Sequence, residues 1–141
     1  MKKLLVSACL IGRDCKYSGG NNLLPEAVLE RLRAEYELFP VCPESDGGLS
    51  TPRDPSERLG ERVVSCAGRD VTAEFMKGAQ IALETALEKG CTLALLKAHS
   101  PSCGKGTIYD GTFTGTLVPG DGVTAELLMK HGIEVITEQE I

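Results

Sequence analysis

The sequence lacks several features that would assign it quickly to a known class of protein. Its 141 residues contain no tryptophan and only three phenylalanines and three tyrosines. No two of its six cysteines have the Cys-x-x-Cys spacing, which argues against a zinc ribbon. The first glycine-rich loop, residues 9–20, lacks the Gly-x-Gly-x-x-Gly spacing of a dinucleotide site. No apolar run approaches the roughly 20 residues that a membrane span needs.

Basic residues are also too few for a protein that binds a nucleic-acid polymer. The formal net charge is −5, whereas binding to a phosphate backbone needs a basic face. The start, Met1 to Cys9, is basic and then apolar, but the apolar run is too short for a signal peptide. We therefore expect a cytoplasmic protein with no membrane or nucleic-acid partner.

The chain alternates between short apolar runs and amphipathic stretches, which predicts an α/β fold with a mostly parallel sheet. Its length suits a single α/β domain covering residues 1–141. Strands are predicted at 2–8, 37–41, 92–97 and 133–136, and helices at 25–34, 72–89 and 123–131. Two antiparallel features are also predicted, a pair of 62–65 with 70–72 and a small hairpin within 106–115.

Three cysteines lie shortly after the ends of three of the predicted strands. Cys9 follows the first strand, Cys42 follows the second, and Cys103 lies in a proline-containing loop after the third. Ligands of open α/β sheets bind outside the carboxyl ends of the strands, so parallel neighbours would bring these thiols together. Sulfur ligands are typical of iron–sulfur clusters and of zinc, and cysteine clusters in reducing compartments are usually metal-binding or catalytic.

Several motifs together resemble one family of small bacterial and archaeal proteins, formerly a domain of unknown function, that contains the thiouracil desulfidases. The motifs are Ser7-Ala-Cys-Leu-Ile-Gly12, Cys15-Lys-Tyr-Ser-Gly19, Val41-Cys-Pro-Glu44, Gly47-Gly-Leu-Ser-Thr-Pro-Arg53, Asp70-Val-Thr72, Lys97 with Ser100-Pro-Ser-Cys-Gly104, Ile108-Tyr-Asp-Gly111 and Gly120-Asp-Gly-Val-Thr124. The resemblance covers essentially the whole chain.

This resemblance implies a Rossmann-like fold and a [4Fe-4S] cluster held by Cys9, Cys42 and Cys103, the same three cysteines that follow the strands. It further implies desulfuration without net redox change. Sulfur would leave a small thiolated substrate, a thiouracil-like nucleobase or nucleoside, onto the open iron of the cluster. An exposed cluster is oxygen-sensitive, so we expect it to be absent from protein prepared in air.

Four further residues are expected in the site. By resemblance, Glu44 and Ser100 are the catalytic and substrate-binding candidates; Glu44 would alternatively cap local amides, and Ser100 would bond its own loop. Lys97 and Arg53 are expected to bind substrate or to balance cluster charge, with structural salt bridges as the alternative. His99 is expected to be an ordinary loop residue.

The role of Cys15 stays open among a fourth ligand, a persulfide carrier and a thiol beside the cluster. Cys66 and Cys91 are assigned to a turn and to a buried strand start. A fourth ligand would close the cluster and favour a non-catalytic iron–sulfur or sulfide carrier or sensor. A cysteine-ligated zinc protein is the other alternative. The sequence shows no aromatic box for stacking a base, and it does not determine the oligomeric state.

Overall fold

The computed structural model describes residues 1–141 and contains eight strands and four α-helices. The strands are β1 (Lys2–Ser7), β2 (Tyr36–Val41), β3 (Ser56–Leu59), β4 (Arg62–Ser65), β5 (Leu93–Leu96), β6 (Thr107–Tyr109), β7 (Leu117–Pro119) and β8 (Glu134–Thr137). The helices are α1 (Glu26–Glu35), α2 (Pro43–Asp46), α3 (Thr72–Lys89) and α4 (Val123–Lys130). Short 3₁₀ turns at Ala8–Ile11 and Glu138–Glu140 follow β1 and β8.

Four parallel strands form the central sheet in the order β2-β1-β5-β8, which confirms the predicted α/β class and parallel sheet. β1 lies between β2 and β5, so the chain moves to one side of β1 first and to the other side later. This reversal of strand order is where Rossmann-like sheets bind their ligands, at the carboxyl ends of the strands.

Alternation along β1 divides the core between the two faces of the sheet. Leu5 packs with residues of α3 and α4 on one face. Leu4 and Val6 pack with Leu29 and Leu32 of α1 on the other. Because successive strand side chains point to opposite faces, an uninterrupted apolar run fits a strand covered by helices on both sides. None of the helices is both long and apolar enough to cross a membrane.

The two antiparallel hairpins differ in how well the sequence predicted them. The hairpin predicted within 106–115 forms as β6 with β7, but β7 lies beyond that range at Leu117–Pro119, so the connection is longer than a turn at Asp110-Gly111. The antiparallel pairing of 62–65 with 70–72 is present as a bridge between Val64 and Asp70, but the main partner of β4 is the preceding β3. Gly60, at a φ of 62°, makes the tight turn that favours the nearer partner.

Helix α3 has the predicted bounds. A threonine at its start predicts a helix cap, but Thr72 is the first residue of α3, and its hydroxyl accepts a hydrogen bond from the Val63 amide. The spacing of apolar residues predicts that Leu87 is buried, but Leu87 is 59% exposed, whereas Gly78 is buried.

Gly78 allows α3 to touch the backbone of the segment that begins α2. A Cβ at position 78 would lie 1.8 Å from the Pro43 carbonyl oxygen, which no side chain tolerates. Pro43 stands between Cys42 and Glu44, so this close approach positions two candidate site residues. The reason for glycine at this point of an otherwise regular helix is therefore packing.

We predict that Gly78→Ala destabilises the protein by about 2 kcal/mol or more, because overpacking outweighs the roughly 1 kcal/mol that alanine contributes to helix propensity. Urea denaturation of the metal-free protein measures this difference. Gly20→Ala is the matched control, since a Cβ there would make only ordinary contacts at 3.8 and 4.0 Å. Equal stabilities of the two variants would contradict the packing role.

Candidate metal centre

Three buried thiols lie at the carboxyl ends of three adjacent parallel strands. Cys9 is in the 3₁₀ turn that follows β1, Cys42 follows β2, and Cys103 is in the loop after β5. Each of these residues is at most 9% exposed, and all three line one cavity of about 520 Å³. The topology therefore assembles residues that are far apart in the chain.

The other predicted site residues line the same cavity. They are Cys15, Glu44, Arg53, Lys97 and Ser100. Cys66 and Cys91 do not line it: Cys66 is exposed after β4, and Cys91 is buried in the hydrophobic core. The structure thus separates the six cysteines into a group of four and two outside it.

The loop that carries Cys103 is held from two sides. The Ser7 hydroxyl, at the end of β1, donates to the Cys103 sulfur at 3.4 Å and accepts from the Lys97 amide at 3.0 Å. The Ser100 hydroxyl accepts from the Cys103 amide at 2.7 Å. Since Ser7 is itself 3% exposed, both bonds are shielded from water.

Helix α4 begins against the carbonyls of the same loop. The amide of Val123 donates to the Pro101 carbonyl, and the amide of Thr124 donates to the Ser102 carbonyl, both at 2.8 Å. A Cβ at Gly122 would lie 2.4 Å from Ser102 backbone atoms, so only glycine permits this approach. The loop carbonyls therefore satisfy amides that a helix start would otherwise leave without partners.

Arg53 joins the loop of Cys15 to the segment after Cys42. Its guanidinium donates to the Cys15 carbonyl at 2.8 Å, to Thr51 Oγ1 at 2.9 Å and to Glu44 Oε1 at 3.3 Å. The Cys42 sulfur also lies 3.7 Å from the Cys15 carbonyl. With its side chain 7% exposed, Arg53 forms the salt bridge that was the alternative to substrate binding.

Glu44 is held by this arginine and makes no cap of local amides with its side chain. Its carboxylate faces the cavity with 20% of the side chain exposed. Burial raises the pKa of Glu44, and the charge and hydrogen bond of Arg53 partly oppose that rise. The amide of Cys42 is instead bonded by Asp46.

Ser100 and Lys97 both have protein partners as well as a place on the cavity wall. The Ser100 oxygen accepts from the amides of Ser102 and Cys103, and these two bonds leave its hydroxyl proton free to donate. Lys97 pairs with Glu138 at 2.8 Å, so its ammonium is already neutralised by a carboxylate. The salt bridge considered for Lys97 is thus present.

Burial in the cavity disfavours the charged thiolate form of these cysteines. It raises the pKa of Cys103 and of Cys15 to about 12, and it raises the pKa of Cys9, which a hydrogen bond from Asn22 partly offsets. The negative charge of neighbouring thiolates, such as Cys42 beside Cys15, adds to the effect. A bound cation reverses this balance, because metal coordination deprotonates a thiol.

No three histidine, cysteine, aspartate or glutamate side chains are grouped closely enough to hold a single metal ion. A multinuclear iron–sulfur cluster has a different requirement, because each ligating cysteine binds a separate iron. Thiols distributed around a shared cavity fit that requirement.

Comparison with known proteins places the chain in a family. The model of the 2-thiouracil desulfurase family matches residues 4–140. The chain belongs to this family. The uncharacterized protein YbbK of Bacillus subtilis (strain 168) is 41% identical over 151 residues, which cover 98% of this chain and 97% of that protein.

The chain is also similar to a solved structure, that of the [4Fe-4S]-dependent thiouracil desulfidase TudS. It is 48% identical, has a TM-score of 0.95, and is matched over 100% of this chain and 93% of that one. The resemblance inferred from the sequence motifs is confirmed by this match and by the 2-thiouracil desulfurase family model.

Sequence reasoning missed the aromatic residues of the site in this member of the 2-thiouracil desulfurase family. Tyr17, Tyr109 and Phe113 all line the cavity, and so does His99. They come from three separate segments, so no local pattern in the sequence shows that they converge. The family motifs contained Tyr17 and Tyr109 but gave no role for them.

We predict that Arg53→Lys destabilises the metal-free protein by about 2 kcal/mol, because hydrogen bonds from a buried charged donor contribute roughly 1.5–3 kcal/mol each and lysine cannot reproduce the planar fork. Urea denaturation gives the value. Arg62→Lys is the control, because the Arg62–Asp70 pair is exposed and such pairs contribute at most about 1 kcal/mol. A difference below about 0.5 kcal/mol between the variants would contradict the prediction.

Proposed function

We propose that this protein removes sulfur from a thiolated pyrimidine such as 2-thiouracil by [4Fe-4S]-dependent hydrolysis. The single observation that carries the proposal is the convergence of three buried thiols and one partly buried carboxylate on a cavity of about 520 Å³. Membership of the 2-thiouracil desulfurase family and the similarity to TudS support the reaction and the cofactor.

The residues present fit an iron–sulfur cluster. Cys9, Cys42 and Cys103 would hold it, since sulfur ligands suit such clusters and three of them leave one iron without a protein ligand. When bound, the cluster supplies an iron that can act as a Lewis acid toward soft sulfur. Ser7 would orient the Cys103 sulfur through the bond that it already makes.

The cavity also suits the substrate. Its volume lies within the range of roughly 300–1,000 Å³ that is typical of small-molecule sites, and both apolar and charged side chains line it. A thiolated pyrimidine is small, planar and without phosphate, so it needs no basic surface. The sulfur-bearing end would lie toward the buried thiols.

The overall reaction moves protons but no electrons. Water adds its oxygen to the carbon that carried sulfur, the carbon–sulfur bond breaks, and both protons of the water end on sulfur as hydrogen sulfide. A group beside the cavity therefore has to accept a proton from water and to return one. Glu44 is our candidate for this task, because it lies two residues after Cys42 and lines the cavity.

Ser100 is our second catalytic candidate. Its oxygen is fixed by two amides, so its free proton can be donated to a polar atom of the substrate. Lys97 and Arg53 are proposed to orient a polar substrate while remaining paired with Glu138 and Glu44.

Cys15 defines a second candidate function, which would apply if this residue were a cluster ligand. Cys15 is 5% exposed and adjoins Cys42, so four thiols rather than three surround the cavity. If all four bound the cluster, no iron would be open, and the protein would be a carrier or sensor of iron–sulfur or sulfide. We propose that Cys15 is a thiol beside the cluster and not a ligand.

Anaerobic reconstitution with iron and sulfide tests the ligand set. We expect about four irons per chain, release of sulfide from 2-thiouracil, and loss of both in Cys103→Ala. Cys66→Ala is the control, because this cysteine is exposed and outside the cavity. Binding of zinc alone, with no iron retained, would contradict the proposal and support the zinc alternative.

Cys15→Ala separates the enzyme from the carrier. We expect it to retain its iron, because three other cysteines suffice for the cluster. Iron content and the visible absorption spectrum measure this directly. Loss of the cluster in Cys15→Ala but not in Cys66→Ala would support four ligands and the non-catalytic function.

Glu44→Gln is expected to retain iron and to lower kcat by roughly 10²–10⁴-fold, the usual contribution of general acid–base catalysis. Glutamine preserves the size of the side chain but cannot accept the proton. Glu126→Gln is the control, because its carboxylate pairs with Arg58 and does not line the cavity. A kcat within twofold of wild type would exclude Glu44 as the proton acceptor.

A further inference from the structure

Two residues other than glycine have left-handed backbone conformations, and both line the cavity. His99 has a φ of 69° and Phe113 a φ of 59°. Side chains with a Cβ disfavour this region, and for bulky residues it is unusual. Such conformations persist only where the surroundings enforce them, and they concentrate at ligand sites.

A carboxylate from another hairpin enforces the conformation around Phe113. Glu57, on β3, accepts hydrogen bonds at one oxygen from the amide of Gly111 at 2.9 Å and from the amide of Phe113 at 3.2 Å. These bonds join positions that are 54 and 56 residues apart. Glu57 thus ties the connection between β6 and β7 to the wall of the cavity.

Hydrogen bonds within the connection between β6 and β7 also order it. Asp110 accepts from the amide and the hydroxyl of Thr112, and the hydroxyls of Thr112, Thr114 and Thr116 form a continuous chain at 2.7 and 2.9 Å. Phe113 is therefore presented by an ordered loop. With 38% of its surface exposed, it is more accessible than the buried thiols that line the same cavity.

Other rings line the same cavity. The rings of His99 and Tyr109 pack edge to face, with their centroids 6.2 Å apart and an interplanar angle of 67°. A planar substrate whose sulfur points toward the buried thiols would have the rest of its ring near these aromatic residues. Aromatic side chains contribute to base binding because every base has a π-face.

We propose that Phe113 is a specificity-determining residue that packs against the ring of the thiolated substrate, with Glu57 as its positioning residue. This inference rests on the proposed function. It assigns recognition of the heteroaromatic ring to the connection between β6 and β7, and it leaves the cysteines to hold the cofactor.

Phe113→Ala is expected to raise KM for 2-thiouracil roughly tenfold, the order of effect that loss of one aromatic contact to a base produces. The iron content should remain at its wild-type value, and kcat should change less than KM. Calorimetry with uracil, which is not turned over, should show a similar loss of affinity for the iron-loaded protein. Leu117→Ala is the control, because this exposed residue of β7 does not line the cavity.

Two substitutions at the same position separate ring contact from bulk. Phe113→Tyr keeps the aromatic face, and Phe113→Leu keeps only apolar volume, so we expect the leucine variant to lose more affinity. Glu57→Ala should raise KM because it frees the loop, whereas Glu57→Gln retains an acceptor oxygen and should have a smaller effect.

Unchanged KM and unchanged uracil affinity in Phe113→Ala would overturn the inference. Equal losses in the leucine and tyrosine variants would overturn the role of the ring face. The proposed function fails separately, if the wild-type protein holds its iron but releases no sulfide from 2-thiouracil. In that case, uracil calorimetry on the same variants still decides whether Phe113 contacts the base.

Discussion

The parallel pairing of β1 with β2 on one side and with β5 on the other is the constraint on which the site depends. Each of these strands ends at the same edge of the sheet, and each is followed by a cysteine. The hydrogen bonds of the sheet set the spacing of the strands, so the backbone positions the three thiols before any cofactor binds. Three cysteines carried by loops without a shared sheet would be positioned less precisely.

Hydrogen bonds between neighbouring loops then fix the side chains of the site, which the sheet alone positions only approximately. Ser7 reaches the Cys103 sulfur from the adjacent strand, and Arg53 joins the carbonyl of Cys15 to the carboxylate of Glu44. These groups are largely buried, so their bonds are shielded from competition with water. These bonds order the residues around the thiols. Close backbone contacts of Gly78 with Pro43 and of Gly122 with Ser102 hold the same segments against α3 and α4.

Two hairpins outside the central sheet contribute side chains to the cavity lining. β3 contributes Glu57, and the connection between β6 and β7 contributes Phe113. This arrangement separates the two proposed roles: the strand ends hold the buried thiols proposed to bind the cofactor, and the hairpins carry the side chains proposed to contact the substrate. Loops on a rigid scaffold are where specificity commonly varies between related proteins.

Local sequence pattern was sufficient to predict the strands of the central sheet and the helices that cover it, because apolar runs and 3.6-residue periodicity depend only on neighbouring residues. The three cysteines could be selected for the same reason, since Cys9 and Cys42 directly follow apolar runs and Cys103 lies in the loop after a third. Local pattern did not predict β3, the pairing of Arg53 with Cys15, or the aromatic residues that line the cavity. Those features depend on contacts across 38 residues for Arg53 and across 56 for Phe113 with Glu57. Sequence pattern therefore identifies the thiols that follow strands, whereas their surroundings depend on tertiary contacts, because segments that are distant in the chain and meet in the fold share no local pattern.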